Sequence, residues 1–198
     1  TRYAWVGYQT GYLKAHYPAE YMSTVLSNNM NNMDEIAKFM DDIKKHDIKI
    51  LGPDVNESFT QFTVNKQGNV RFGMAGIKGI GENAVNSVIR EREANGIYKD
   101  VFDFIERVNL TTVNKKGIES LVGSGAFDCF QEVNRGSFAV DLGKGETFAD
   151  ILLRYGNKFQ KNSSDASTSL LGGDAAVQTA RPMLPITPAL NPLEVLQN

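Results

Sequence analysis

Apolar residues along the chain fall into short periodic runs separated by polar punctuation, and the period changes from helical to alternating and back. Tyr21, Met22, Val25 and Leu26 recur at helical spacing and predict a helix over about Pro18 to Asn29. Asn32, with Glu35 three residues on, has the form of a helix N-cap. Met33, Ile36, Phe39, Met40 and Ile43 then make an apolar stripe reaching about His46. There the period shortens. Ile48 to Leu51 is a β-like run ended by Gly52-Pro53, and Phe59, Gln61 and Thr63 alternate with Thr60, Phe62 and Val64. Asn65-Lys66-Gln67-Gly68-Asn69 supplies turn chemistry before a second strand at about Val70 to Met74, so a β-hairpin is predicted.

Helical spacing returns with Ala84, Val85, Val88 and Ile89 on one face, breaks at Asn95-Gly96, and resumes with Val101, Phe104, Ile105 and Val108. Asn114 can cap a further helix carrying Ile118, Leu121 and Val122, which stops at Gly123-Ser124-Gly125. Phe148, Ile151, Leu152, Tyr155 and Phe159 mark one more amphipathic helix. Asn162 to Asn198, rich in Ser, Thr, Ala and Gly and holding four of the six prolines, reads as an extended linker. The fold expected is mainly α with one small β-hairpin.

With 198 residues, 41% of them hydrophobic and 22% charged, the chain has material for one large or two small cores. It has no uninterrupted apolar stretch of about 18 residues. Thr1-Arg2-Tyr3-Ala4-Trp5 also lacks the charged-then-apolar order of a signal sequence, so a cytoplasmic protein without membrane contact is expected. The start without Met, inside the aromatic run YAWVGYQTGY, reads as a cut from a longer polypeptide. Cys129, His16 and His46 are too few for a zinc site. Asp41 and Asp42 are adjacent and splay around a helix beside His46 and Asp47, so a solvated face and no metal is expected there. Cys129 belongs to no triad and reads as a small packed residue.

Net charge is −2, but the average hides a gradient: residues 66–120 hold nine basic and seven acidic side chains, whereas both flanks lean acidic. No polybasic arm exists. Any nucleic-acid contact must therefore come from a shaped site that uses backbone groups and a few placed cations.

The sharpest local signal is Ile77-Lys78-Gly79-Ile80-Gly81-Glu82, set between a strand and a helix of about fourteen residues. Gly79 and Gly81 let the backbone turn tightly and approach a phosphate, the amides opening the next helix point at the anion, and Lys78 adds charge. The same residues also fit a plain tight connection in which Ile77 and Ile80 plug the core. A Walker loop lacks its Gly-Lys-Ser/Thr ending, and a dinucleotide fingerprint lacks its third glycine where Ala84 stands.

The hydrophobic-Gly-hydrophobic-Gly turn resembles the helix-hairpin-helix family, which implies sequence-independent binding of double-stranded DNA through amide–phosphate contacts. A looser copy follows at Gly123-Ser124-Gly125, with Lys115 and Lys116 at the start of its helix, where a simple C-cap fits equally well.

Five ordered blocks, YQTGYLKAHYPAEYM, KILGPDVNES, VRFGMAGIKGIGENAV, VFDFIERV and VNKKGIESLVGSGAFD, resemble the alpha subunit family of bacterial replicative DNA polymerase III over about Tyr3 to Asp128. That resemblance implies four segments. Residues 1–75 are the end of the polymerase fingers and 76–130 a tandem helix-hairpin-helix module on duplex DNA; 131–161 extend it helically and 162–198 lead toward a clamp-binding peptide. It implies a DNA-directed DNA polymerase as parent, with its catalytic aspartates and Mg2+ elsewhere, so no cofactor and no activity are expected of this chain alone. Other polymerase domains and holoenzyme subunits are the implied partners, with a sliding clamp reached through Leu170 and Leu171. In the fingers, Gln9, Lys14 and His16 among Tyr3, Trp5, Tyr8, Tyr12 and Tyr17 are candidates to face nucleotide or template, against a helix whose rings fill a core. Gly11, Gly76 and Gly117 depart from the family's pattern, and each helical glycine costs about 1 kcal/mol relative to Ala.

Two other classes fit some of these residues. A base-excision glycosylase also uses such a hairpin but needs a catalytic Lys or Asp in a pocket beside it, and Asp100 and Asp103 instead sit in an ordinary amphipathic helix. A protein-interaction module would use the hairpins for packing and the tail for clamp docking.

Overall fold

The computed structural model describes residues 1–30, 32–140, 145–168 and 180–185. Eight α-helices and three two-residue strands are found among them, divided into two compact units, Thr1–Lys78 and Gly79–Asn198.

In the first unit, α1 (Arg2–His16) leads through Tyr17 into α2 (Pro18–Asn28), whose first turn holds Pro18 where no amide is needed. Asn32 caps α3 (Met33–Lys44) as its sequence predicts, accepting from the Glu35 amide at 3.3 Å. Met22 and Leu26 of α2 and Ile36 and Ile43 of α3 are buried with Phe62, just before the second strand, and Val70 of the third. The sheet comprises β1 (Ile50–Leu51), β2 (Thr63–Val64) and β3 (Val70–Arg71) in the order β1-β3-β2. The predicted hairpin is β2–β3, antiparallel, with Asn65 Oδ1 accepting from the amides of Gln67 and Asn69 across the turn. The third strand adds to it. β1 pairs in parallel with β3, so the β-like run before Gly52-Pro53 completes a sheet rather than standing alone.

The second unit opens on α4 (Glu82–Asn95), continues through α5 (Val101–Arg107), α6 (Lys115–Ser124) and α7 (Arg135–Ala139), and closes with α8 (Phe148–Thr168). Asp100 and Asn114 cap α5 and α6 through their side chains, accepting from Asp103 and Gly117 at 2.6 and 3.0 Å. An aromatic relay joins the elements: Tyr98 to Phe104 at 4.8 Å, Phe104 to Phe127 at 4.9 Å, Phe127 to Phe138 at 5.7 Å and Phe138 to Phe148 at 5.6 Å. Phe148, Leu152 and Tyr155 of α8 are buried in that same unit.

α8 is also longer than its apolar stripe. It runs to Thr168, seven residues into the segment expected to be linker from Asn162, because the packed first half already meets the cost of nucleation. Arg181 returns from beyond it to bridge Asp100 at 3.1 Å and Glu106 at 3.0 Å, stacking on the Phe102 ring at 5.2 Å.

Two helical glycines behave oppositely. A Cβ on Gly156 would overlap the Ile105 side chain and come 2.8 Å from Leu110 Cδ1, so α8 needs glycine there to approach α5. A Cβ on Gly117 would meet only ordinary contacts, the nearest at 3.7 Å. Gly117→Ala should therefore stabilise by up to about 1 kcal/mol through helix propensity, while Gly156→Ala should destabilise by about 1–3 kcal/mol through overpacking. Urea titrations of the two variants followed by circular dichroism check both signs.

Candidate nucleic-acid interface

The turn before α4 is held from below by α6. Gly79 has φ +100°, and a Cβ there would overlap the Ser120 hydroxyl, with Lys116 Cε 3.7 Å away. Ile80 is buried, its Cγ1 lying 3.9 Å from where a Gly117 Cβ would stand. Positive φ and close approach thus both require glycine at position 79, and Ile80 is the plug that fixes the turn to α6.

Gly81 is the N-cap of α4 and contributes no side-chain cap. The first amides of α4 to find an internal acceptor are those of Ala84 and Val85, both on the Gly81 carbonyl at 3.0 and 3.1 Å. Among the described residues, the amides of Gly79, Ile80, Gly81, Glu82 and Asn83 have no protein acceptor. Five consecutive open donors at a helix N-terminus are the groups from which a cradle for an anion would be built. What precedes the turn is one 3-10 turn at Met74–Gly76 rather than a full α-helix.

The cations sort themselves. Lys116 lays its stem beside Gly79 and makes no ion pair among the described residues. Lys115 is engaged elsewhere, bridging Asp150 of α8 at 2.6 Å and Glu119 at 3.8 Å. Lys78 is exposed and directly precedes Gly79 in the chain. Ser120, one turn beyond Lys116 on α6, is a contact that sequence reading passed over; its i, i+4 spacing from Lys116 was the available signal.

The second glycine pair has another geometry. Gly123 and Ser124 are the last residues of α6, and Gly125 is left-handed at φ 85° and ψ 12°. The Gly125 amide donates to Val122 O and the Ala126 amide to Leu121 O, both at 2.9 Å, which is a Schellman cap. Its amides are consumed by the helix it ends. The Arg135 guanidinium covers the glycine and is itself bound to Asp128 at 2.6 Å and the Gly123 carbonyl at 3.4 Å.

Asp100 and Asp103, the acids a glycosylase would need, are both employed structurally. Asp100 caps α5 and pairs with Arg181, while Asp103 pairs with Arg107 at 2.9 Å and accepts from the Lys99 amide at 3.0 Å.

The aromatic helix α1 does not fill a core. It buries no residue; Tyr3 is 91% and Trp5 61% exposed, and Trp5, Tyr8, Tyr12 and His16 follow one another along its surface. Gln9 is exposed on the same helix. His16 lies 4.2 Å from the Tyr12 ring centroid, and Lys14 is bound to Asp42 of α3 at 2.5 Å, which holds the Asp42 carboxyl below its ordinary range. Leu170 and Leu171 lie outside the described residues.

The helix-hairpin-helix motif family matches residues 47–137, which include residues 79–83 and α6. The chain is 44% identical over 126 residues to DNA polymerase III subunit alpha of Pasteurella multocida, and 42% identical over 126 residues to that of Haemophilus influenzae. Each match covers 64% of this chain and 11% of the relative. The subunit of Chlamydia trachomatis is 34% identical over 195 residues, 98% of this chain and 15% of the relative. The chain belongs to the DNA polymerase III alpha family. It spans between a tenth and a sixth of the length of these polymerase relatives, and the Chlamydia match extends the similarity past Asp128 through α8.

Within this member of the polymerase III alpha family, Lys115 and Asp150 join α6 to α8. The Lys115 hydrogen bond, helped by Thr147, brings the Asp150 carboxyl down to about 2. A carboxyl lowered by folding contributes its stability fully above its ordinary value of 3.8 and loses it as pH falls toward 2. Asp150→Asn should therefore flatten the acid limb of a pH–melting profile between about pH 4 and 2, leaving the neutral-pH slope unchanged. Thermal melts of both proteins across that range check it.

Proposed function

We propose that this chain binds and positions duplex DNA without reading its sequence, as part of a DNA-directed DNA polymerase acting in replication. The observation that carries this is the run of five acceptor-free amides from Gly79 to Asn83 beside the free Lys116 ammonium. Amides satisfy phosphate oxygens, not base edges, so the contact fixes register on the backbone and is indifferent to sequence. Gly79 and Gly81 supply the close approach, Ile80 the anchoring, and Lys116 and Lys78 the charge; the Schellman turn at Gly123-Ser124-Gly125 supports α6 instead of offering donors.

Nucleotidyl transfer requires carboxylates gathered around two Mg2+ ions. Among the described residues no group of three or more His, Cys, Asp or Glu side chains is gathered in that way. In this proposal chemistry belongs to other parts of the polymerase, and this chain holds the duplex without catalysing anything alone.

The test is fluorescence anisotropy of a labelled blunt duplex across a salt series. Nothing lies within 4 Å of a Cβ on Gly81, whose φ of −82° suits any residue, so Gly81→Val blocks the cradle without disturbing the fold. Wild type should bind with a dissociation constant of roughly 10⁻⁴ to 10⁻⁶ M and a log–log salt slope of about −3. Gly81→Val should lose most of that binding, and Lys116→Gln should flatten the slope by about one. Equal binding by wild type and Gly81→Val, with matching circular dichroism, would refute the cradle.

A further inference from the structure

Asn83, Ser87, Arg90 and Ala94 recur along one side of α4 and form a wall of an open groove of about 850 Å³; Asn109 and Thr112, between α5 and α6, form the facing wall. Arg107 and Gln160 also line it, and their N–H donors are spent internally. Arg107 meets Glu91 at 3.1 Å, Asp103 at 2.9 Å and the Gly96 carbonyl at 2.7 Å, while Gln160 Nε2 donates to the Ile105 and Val108 carbonyls at 3.0 and 2.8 Å. Glu91 is the single acid in the lining and is neutralised by Arg107, with Asn95 also donating to it at 2.8 Å. Arg90 differs. It is exposed, with no ion pair or hydrogen bond among the described residues, so its guanidinium is the one cation of the lining not already held by a carboxylate.

The groove also begins where the cradle ends. Asn83 contributes its amide to the cradle and its side chain to the groove wall. From Asn83 the wall runs along α4 about 10 Å to Arg90 and about 16 Å to Ala94. One strand of duplex advances about 3.4 Å per nucleotide, so this length takes a few nucleotides beyond the one held by the amides. The lining suits such an occupant, since Ser87 and Asn83 bring uncharged hydrogen-bonding side chains and Arg90 a single cation.

We propose that this groove is a second backbone subsite, taking the sugar–phosphate chain of the same DNA strand as it leaves the hairpin, with Arg90 as its phosphate contact. The proposal rests on the hairpin reading above, and the two fail separately. Duplex binding is measured by anisotropy over a salt series for the 198-residue chain, with Arg90→Gln, Asn109→Asp, Gly81→Val and, as a net-charge control away from the groove, Lys158→Gln. Arg90→Gln should weaken binding several-fold at low salt and flatten the salt slope by about 0.9, the increment of one lost phosphate contact. Asn109→Asp, which puts an acid on the facing wall, should weaken it as well, and Lys158→Gln should match wild type. If Arg90→Gln binds like wild type or like Lys158→Gln while Gly81→Val is defective, the groove is empty and the hairpin reading stands. Full binding by Gly81→Val overturns both, whatever Arg90→Gln does.

Discussion

A backbone amide without a partner is costly unless water or a ligand meets it, and here five in succession are left open at one end of α4. Nearly everything in the second unit can be understood as holding that stretch still. Ile80 is sunk toward α6, Gly79 rests on Ser120, and α6 is tied to α8 by Lys115 and Asp150. The aromatic relay from Tyr98 to Phe148 then makes the supporting helices one core. Open donors bind well only when their geometry is fixed beforehand.

The division of labour between the two glycine pairs follows from what each helix end offers. Preceding a helix, a glycine turn exposes amides; following one, it folds its amides back onto carbonyls. Gly79-Ile80-Gly81 and Gly123-Ser124-Gly125 look alike as letters but stand at opposite ends of their helices. The same asymmetry separates the adjacent lysines: Lys116 extends over Gly79, whereas Lys115 is taken up by α8.

Local signals in the sequence were legible where local physics decides the outcome. The Asn32 and Asn114 caps, the turn at Asn65 to Asn69, the break at Asn95-Gly96 and the fourteen residues of α4 are set within a few positions of where they occur. What required the three-dimensional structure depended on distant partners. The parallel pairing of β1 with β3, the return of Arg181 to α5 and the hydrogen bond from Gln160 of α8 to the Ile105 carbonyl join residues far apart in sequence, for which periodicity carries no information. At the turn, the positive φ of Gly79 and the burial of Ile80 were readable from their pattern, but the pairing of Lys115 with Asp150 and the approach of Ser120 and Lys116 to Gly79 were not. Both depend on which face of α6 meets the turn.

The outward face of α1 has a spectroscopic consequence. Trp5 is the single tryptophan of the chain and stands on a helix with no buried residue, next to Tyr8 at 6.2 Å. Its emission therefore monitors the surroundings of α1 and is nearly blind to the melting of either core. The tyrosines Tyr98 and Tyr155, buried in the second unit, are the chromophores that register loss of that core. Near-ultraviolet absorbance at tyrosine wavelengths and tryptophan fluorescence thus observe different parts of this protein, and a mismatch between the two would locate a perturbation before any residue was changed.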